Sequence, residues 1–457
     1  MKSNYVLAGG ETIITIIDRF FRHKDFNNHF SKQDINNFFS NTCDKFLHSF
    51  GQSFAGRKNY KTYNQKEADM LKKTRDTGLM DSSEWIIDSG GFQASIGILD
   101  RRELDILFDL YYEFLVKYKD LYDRAFILDI PPGPGCKIFS CFNDVYDLNY
   151  KSYLTAKSLP QDVKDKIVYI HHFRTPKLWD IYSRIMNDNN MFNEFKFHAT
   201  GGIVANSTSD SDIPCIIYVL PLIPLLNEAI KFNRSYLKFH VLGGATFRDI
   251  LFYELFTIHV KNTHNIDLEI TYDSSGPFKG LMVGRYLPVL DEGLIKKMDL
   301  RESILDLRFK DDIKVIDMYR NLLNNMSIKH SIKQIPVSEV YSKETGTFVE
   351  ENRVYSLMYM LEIYSLVQDW MRNECDELYK FYESGDLEEF NSSAEYITRN
   401  INSGRITKKQ KAKTFSISKS LDMLTNLDEE FCQYVVNKCL SKDEFTYLDP
   451  ERKEFFL

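Results

Sequence analysis

Three aspartates each stand at or near the end of an apolar run: Asp88 in "SEWIIDSGGFQASIG", Asp129 in "RAFILDIPPGPG" and Asp273 in "LEITYDSSGP". A carboxylate in that position, half withdrawn from water at the mouth of a buried strand, is liable to a raised pKa. Two of them flanking one reactive carbon divide the work of a double displacement at an anomeric centre. One attacks to form a covalent glycosyl intermediate while the other carries a proton to and from the leaving group. A third can read a hydrogen-bond donor on the substrate. An aspartate ending a strand is also a common N-cap for the helix that follows, so no one of the three decides the matter alone.

Such carboxylates need strands to hold them. Six runs share one pattern, "WIIDSGGF", "RAFILDIPPGPG", "KIVYIHHF", "FKFHATGGI", "LKFHVLGGATF" and "LEITYDSSGP": each is rich in Ile, Val, Phe or Leu, ends in a polar or glycine turn and is followed by an amphipathic stretch. Continuous runs of this kind suit strands buried on both faces. Their ends, taken as Asp88, Asp129, His171, Gly201, Gly243 and Asp273, lie 30 to 42 residues apart, room for a strand, a helix and two loops. Polar groups at every one of these ends predict a (β/α)8 TIM barrel rather than an open sheet, whose site would draw on only two or three strand ends.

"YVLAGG" is expected to be the first strand. The stretch of roughly 20–80, carrying Arg57, Lys58, Lys61, Lys66, Lys72, Lys73 and Arg75, reads as an insertion, and one strand of the eight has no clear place. "RVYSLMYMLEIYSLVQDWM" (353–371) is apolar all round and lacks Gly and Pro, which predicts a buried helix closing the barrel. The barrel is thus expected over 1–375, with a helical, partly basic appendage over 376–457. In that appendage Arg405, Lys408, Lys409, Lys411 and Lys413 are either solvated charge or contacts to a phosphate backbone.

Composition narrows the function classes. The 457 residues exceed what one core needs, and 43% hydrophobic with 27% charged residues is ordinary for a soluble globular protein. A formal net charge of -7 argues against coating nucleic acid indiscriminately. Seven scattered cysteines (Cys43, Cys136, Cys141, Cys215, Cys375, Cys432, Cys439) form no CxxC pair, so neither a disulfide framework nor a zinc ribbon is indicated. With no apolar stretch long enough to span a bilayer, the expectation is a soluble cytoplasmic protein without membrane association.

The residues around Asp88 carry more than a cap would need. "DSGGFQ" resembles the signature of the tRNA-guanine transglycosylase superfamily, enzymes that exchange guanine for a 7-deazaguanine base in nucleic acid. "ILDIPPG" is similar to the family's base-recognition Asp after the third strand, "HATGGIV" to its Gly-Gly turn after the fifth and "HVLGGATFRDI" to its phosphate-side loop after the sixth. "ITYDSSG" resembles the strand that carries its nucleophile. The matches run in family order over roughly 85–276. The resemblance implies that Asp273 attacks C1′ of the target nucleoside and that Asp88 serves as general acid and base. It implies that Asp129 accepts from N1 and N2 of the base and that Phe92 stacks on it. Ser89 and Gln93 would hydrogen-bond around the base, backbone at Gly201, Gly202 and Ile203 would contact its carbonyl side, and Leu242 and Gly243 would complete the pocket. Gly90 and Gly91 would let backbone approach a planar ligand closely. A base buried in a duplex stack must be extruded to reach such a site.

The chain departs from the family's tRNA-acting members in three places. No C-x-C-x-x-C follows the seventh strand, so no metal is expected, nor any other cofactor. Ile170, His171, His172 and Phe173 stand where the family has Gln-Gly-Gly after the fourth strand, so that His171 is expected as a base contact or as part of the pocket wall. "SSGPFKG" replaces the Leu-Pro-Thr-Arg run that follows the nucleophile. These departures, with the N-terminal insertion and the basic tail, look more like the DNA-guanine transglycosylases of phages and genomic islands. The expected activity is exchange of guanine for a 7-deazaguanine base in DNA. The expected partners are DNA, the free base and, as in many members, a second copy of the chain. The alternatives are a tRNA-guanine transglycosylase, a non-catalytic nucleic-acid-binding partner subunit and an unrelated barrel glycosidase.

Overall fold

The computed structural model describes residues 4–9, 31–57, 59–78, 83–131, 138, 142–172, 191–201, 216–274, 286–291, 294–299, 341–342, 347–348, 350–401, 416–428 and 430. Short apolar runs pair in parallel, in chain order, as β1 (Tyr5–Ala8), β2 (Lys45–Ser49), β3 (Glu84–Asp88), β4 (Arg124–Phe126), β5 (Ile167–His171), β6 (Phe197–Thr200), β7 (Tyr236–Val241) and β8 (Asp267–Asp273). β8 returns to β1, with Tyr5 opposite Tyr272 and Val6 opposite Asp273, so the sheet is a closed barrel of eight strands. Parallel strands need helical crossovers. These include α1 (Lys32–Thr42), α2 (Tyr63–Arg75), α3 (Gly91–Ser95), α4 (Arg101–Lys117), α5 (Phe142–Lys157), α6 (Leu222–Lys231) and α7 (Phe247–His264). After β8 come α8 (Glu350–Ser384), α9 (Leu387–Ile401) and α10 (Ser416–Asn426).

The missing strand is β2, and it lies inside the stretch read as an insertion. "KFLHS" is wholly buried yet carries Lys45, His48 and Ser49, each of which has a partner inside the protein. Lys45 reaches Asp44 at 3.2 Å, His48 Nε2 lies 3.0 Å from Glu67 Oε2, and Ser49 bonds to Asp88. Helices α1 and α2 flank this strand, so residues 32–75 of that stretch are largely barrel elements rather than an excursion. The six runs recognised in the sequence are accordingly β3 to β8, and the resembling motifs follow strands one place later than the family count.

The helix expected to close the barrel is there, with a buried face laid over the strands that complete the circle. α8 covers the β8–β1 seam, where Tyr364 stacks on Tyr5 at 4.6 Å and donates to Ala245 O at 2.9 Å. Gln368 Oε1 accepts from Asn4 N at 2.7 Å, and Arg372 Nε meets Glu254 Oε2 of α7 at 3.1 Å. α8 runs unbroken through position 375, so the expected boundary at 375/376 cuts a single helix. α9 packs back on α8. α10 is held to α7 by His264 Nε2 at 2.7 Å from Leu424 O and by Thr425 Oγ1 at 2.9 Å from His259 Nε2.

Charge closes the lower end of the barrel. Glu84 pairs with Arg124 at 2.8 Å and with Lys238 at 3.4 Å, while Glu269 meets Lys238 at 3.1 Å and Lys45 at 4.0 Å. These residues begin or lie low on β2, β3, β4, β7 and β8, which leaves the C-terminal end of the barrel as the face for chemistry.

Candidate active site

Strand alternation decides which side chains face the lumen. Ser49 and Asp88 are paired residues at the last positions of β2 and β3, so both point the same way. The Ser49 hydroxyl donates to Asp88 Oδ2 at 2.8 Å and accepts from Gln93 Nε2 at 3.1 Å. On the other side of the barrel, His240 of β7 and Thr271 of β8 are paired, and Asp273 follows two residues later on the same face. Phe126 of β4 touches the His240 ring at 5.0 Å across the lumen. Asp273 Oδ1 accepts from Gly243 N at 2.9 Å and lies 3.2 Å from His240 Nε2. Asp129 Oδ2, beyond β4, lies 2.9 Å from His172 Nε2.

Asp88 senses the other two carboxylates. The Asp88 carboxyl is pushed up to about 6, chiefly by burial, with the charges of Asp129 and Asp273 adding to the rise. Hydrogen bonds from Ser49 and from the Gly90 backbone oppose it without cancelling it. A carboxyl poised there can hold or release a proton near neutral pH.

The glycines of "DSGG" serve the protein before any ligand. Gly90 adopts a left-handed φ of +87° and packs on Gly51, where a Cβ would come within 2.4 Å of the Gly51 Cα. A Cβ on Gly91 would sit 1.6 Å from the Asp129 carbonyl oxygen. Close approach of backbone is therefore required, but the partner is the chain itself, so that β2, β3 and β4 are pinned together at their ends. Gly91→Ala should cost at least about 3 kcal/mol of stability, since backbone must move to admit the methyl group. Urea denaturation measures it; a loss under 1 kcal/mol would contradict the tight junction.

Several expected base contacts lie elsewhere. Ser89 is fully buried and its hydroxyl accepts from Gly91 N at 3.3 Å, which makes it a turn-former. Gln93 stays with the site, donating to Ser49, which in turn bonds Asp88. His171 faces the helix layer: it is fully buried, stacks on His198 at 5.2 Å and lies 3.1 Å from His198 Nδ1. Burial holds its imidazole well below the ordinary histidine range. One residue further on, the alternation turns inward, and it is His172 that meets Asp129. Gly201 sits against it, a Cβ there coming 3.2 Å from His172 Cε1 and 3.4 Å from Leu242 Cδ1.

Phe92 stands at the mouth on α3 with half of its surface exposed, as a stacking platform would. Leu242 borders Gly201, and Gly243 supplies its amide to Asp273. "GGATFRDI" also has a purely structural part, because Thr246 and Asp249 form the capping box that starts α7. Gly202, Ile203, Arg405, Lys408, Lys409, Lys411 and Lys413 lie outside the described residues.

Sequence reasoning missed Ser49, His172, His240 and Thr271. The signal for the last two was available: a His in β7 and a Thr two residues before Asp273 share the aspartate's face once the strands are aligned. Among the described residues no three His, Cys, Asp or Glu side chains gather as a metal ion would need. None of the described helices is long and apolar enough to cross a membrane. A comparison of the chain with protein-family models finds no match, and neither does a comparison with curated proteins.

Proposed function

We propose that this barrel is a guanine transglycosylase that exchanges guanine for a 7-deazaguanine base in DNA. The observation that carries the reading is the placing of two carboxylates, one of them with a raised pKa, at one barrel mouth. Asp88, with its proton held to about pH 6, faces a site shared with Asp273, which is gripped on one oxygen only among the described residues. Two carboxylates with separate roles are what a double displacement through a glycosyl ester requires. Asp273 attacks C1′ as the C1′–N9 bond breaks, and Asp88 gives its proton to the departing guanine. Asp88 then takes the N9 proton of the incoming base, which displaces Asp273 and restores the N-glycoside.

Asp129 and exposed Phe92 supply the recognition such a reaction needs: a carboxylate for the N1 and N2 hydrogens of the base and a face on which it lies. DNA is favoured over tRNA because the tRNA-acting members' Leu-Pro-Thr-Arg run is replaced by "SSGPFKG". Both acids are present, which weighs against a non-catalytic subunit.

Release of labelled guanine from DNA and from tRNA, followed in parallel with a 7-deazaguanine base supplied, tests the proposal. Release from DNA alone supports it, release from tRNA alone moves the substrate, and release from neither contradicts it. Asp129→Asn should retain the fold yet lower kcat/KM for the guanine-type base by about a thousandfold, because its amide presents donors to donors.

A further inference from the structure

We infer that His240 is a positioning residue that, with the Gly243 amide, holds Asp273 Oδ1, makes Oδ2 the attacking atom and stabilises the carboxylate as it leaves the glycosyl ester. The inference rests on the transglycosylase reading above.

The geometry is asymmetric. Oδ1 of Asp273 faces two N–H groups, Gly243 N at 2.9 Å and His240 Nε2 at 3.2 Å, whereas Oδ2 has no hydrogen-bond partner among the described residues. His240 is itself fixed: it is 4% exposed, its ring lies against Phe126, and its Nδ1 is 2.9 Å from Thr271 Oγ1. In the neutral ring only one nitrogen carries hydrogen. Donation from Nε2 to the carboxylate therefore sets Nδ1 as acceptor from the Thr271 hydroxyl. The carboxylate, which can only accept, fixes the tautomer, and the Thr271 hydroxyl matches it by donating to Nδ1.

The consequences differ between the two half-reactions. When Oδ2 forms its bond to C1′, the electron pair of the C1′–N9 bond passes to guanine, which takes the proton of Asp88. Oδ1 then becomes the carbonyl oxygen of an ester and holds less negative charge. When the incoming base attacks C1′, the C1′–Oδ2 pair returns to the carboxylate, the charge on Oδ1 grows again, and Asp88 regains a proton from N9 of the base. Donors fixed on Oδ1 favour the carboxylate over the ester, so they assist the second step more than the first. Without His240 the ester should persist.

The test compares His240→Phe with His240→Gln, whose amide retains a donor. Each is given a guanine-containing DNA oligonucleotide and a 7-deazaguanine base, and both exchange rate and the fraction of enzyme trapped as adduct on acid quenching are measured. His240→Phe is expected to exchange about 10- to 100-fold more slowly while its trapped fraction rises above that of the parent. His240→Gln should recover most of the rate and a low trapped fraction. A rate and trapped fraction that fall together in His240→Phe, or a Gln variant no better than Phe, would overturn the inference. A parent that releases no guanine contradicts the proposed function itself, which the same experiment reads separately.

Discussion

Asp273→Asn is expected to fold as the parent does and to lose both base exchange and the covalent adduct, by about 10⁴-fold or more, the scale on which removing a covalent nucleophile acts. The asparagine is close to isosteric, and its carbonyl oxygen can still accept from Gly243 N and His240 Nε2, so the strand end and the β7–α7 turn have no reason to move. What disappears is the carboxylate oxygen free to attack. Neither neighbouring acid can take over its place. Asp129 is engaged by His172, and Asp88 is engaged by Ser49 and held largely protonated at mildly acidic pH. Alanine at the same position should give the same chemical result with some loss of stability, because two N–H groups would lose their acceptor. Adduct formation by either variant at the parental rate would remove Asp273 from the nucleophile's role.

Asp88→Asn is expected to pull activity and stability in opposite directions. Exchange should fall by about a thousandfold, since neither departure of guanine nor capture of the new base has its proton carrier. Stability at neutral pH should rise. The carboxyl titrates at its ordinary 3.8 in the unfolded chain and near 6 in the fold. Below pH 4 it is protonated in both states and contributes no difference. As pH climbs through 4 to 6 the unfolded chain loses its proton first, and above 6 the fold carries a recessed charge. That charge costs stability, up to about 3 kcal/mol in principle and about 1–2 after allowing for the partial exposure of the side chain. The asparagine variant should therefore melt at a higher temperature than the parent at pH 7.5 and match it at pH 4. A variant less stable at pH 7.5 would show that Asp88 is a structural acceptor for Ser49 and Gly90 rather than a strained proton carrier. In the parent, single-turnover guanine release should fall as pH rises above about 6, following the protonated form of Asp88.

The fold class and the positions of Asp88 and Asp273 at the ends of β3 and β8 were legible because they depend on local features: an apolar run buried on both faces, and a carboxylate where the run stops. β2 was not, since only its neighbours make Lys45, His48 and Ser49 tolerable inside a barrel: Glu269, Glu67 and Asp88 all come from other elements. The exchange of roles between His171 and His172 has a different cause. A strand's period is readable, but its phase at the exit depends on where pairing ends, and β5 pairs through His171 opposite Thr200 before the chain turns. The "SGG" turn was recognised without its physical reason. Its tightness is set by contacts with Gly51 and the Asp129 carbonyl, which lie 39 residues before Gly90 and 38 after Gly91. Ser49, His240 and Thr271 were missed for the same reason as β2: each gains its meaning from a residue in register on the neighbouring strand.

Acid-quenching the protein with a guanine-containing DNA oligonucleotide, digesting both components and identifying any modified peptide by mass spectrometry tests the proposed nucleophile most directly. A glycosyl adduct is expected on the peptide containing Asp273, absent from Asp273→Asn and discharged when a 7-deazaguanine base is added before quenching. Exchange that proceeds with no adduct on any peptide, or with the adduct on a residue outside the mouth shared by Asp88 and Asp273, would contradict the assignment.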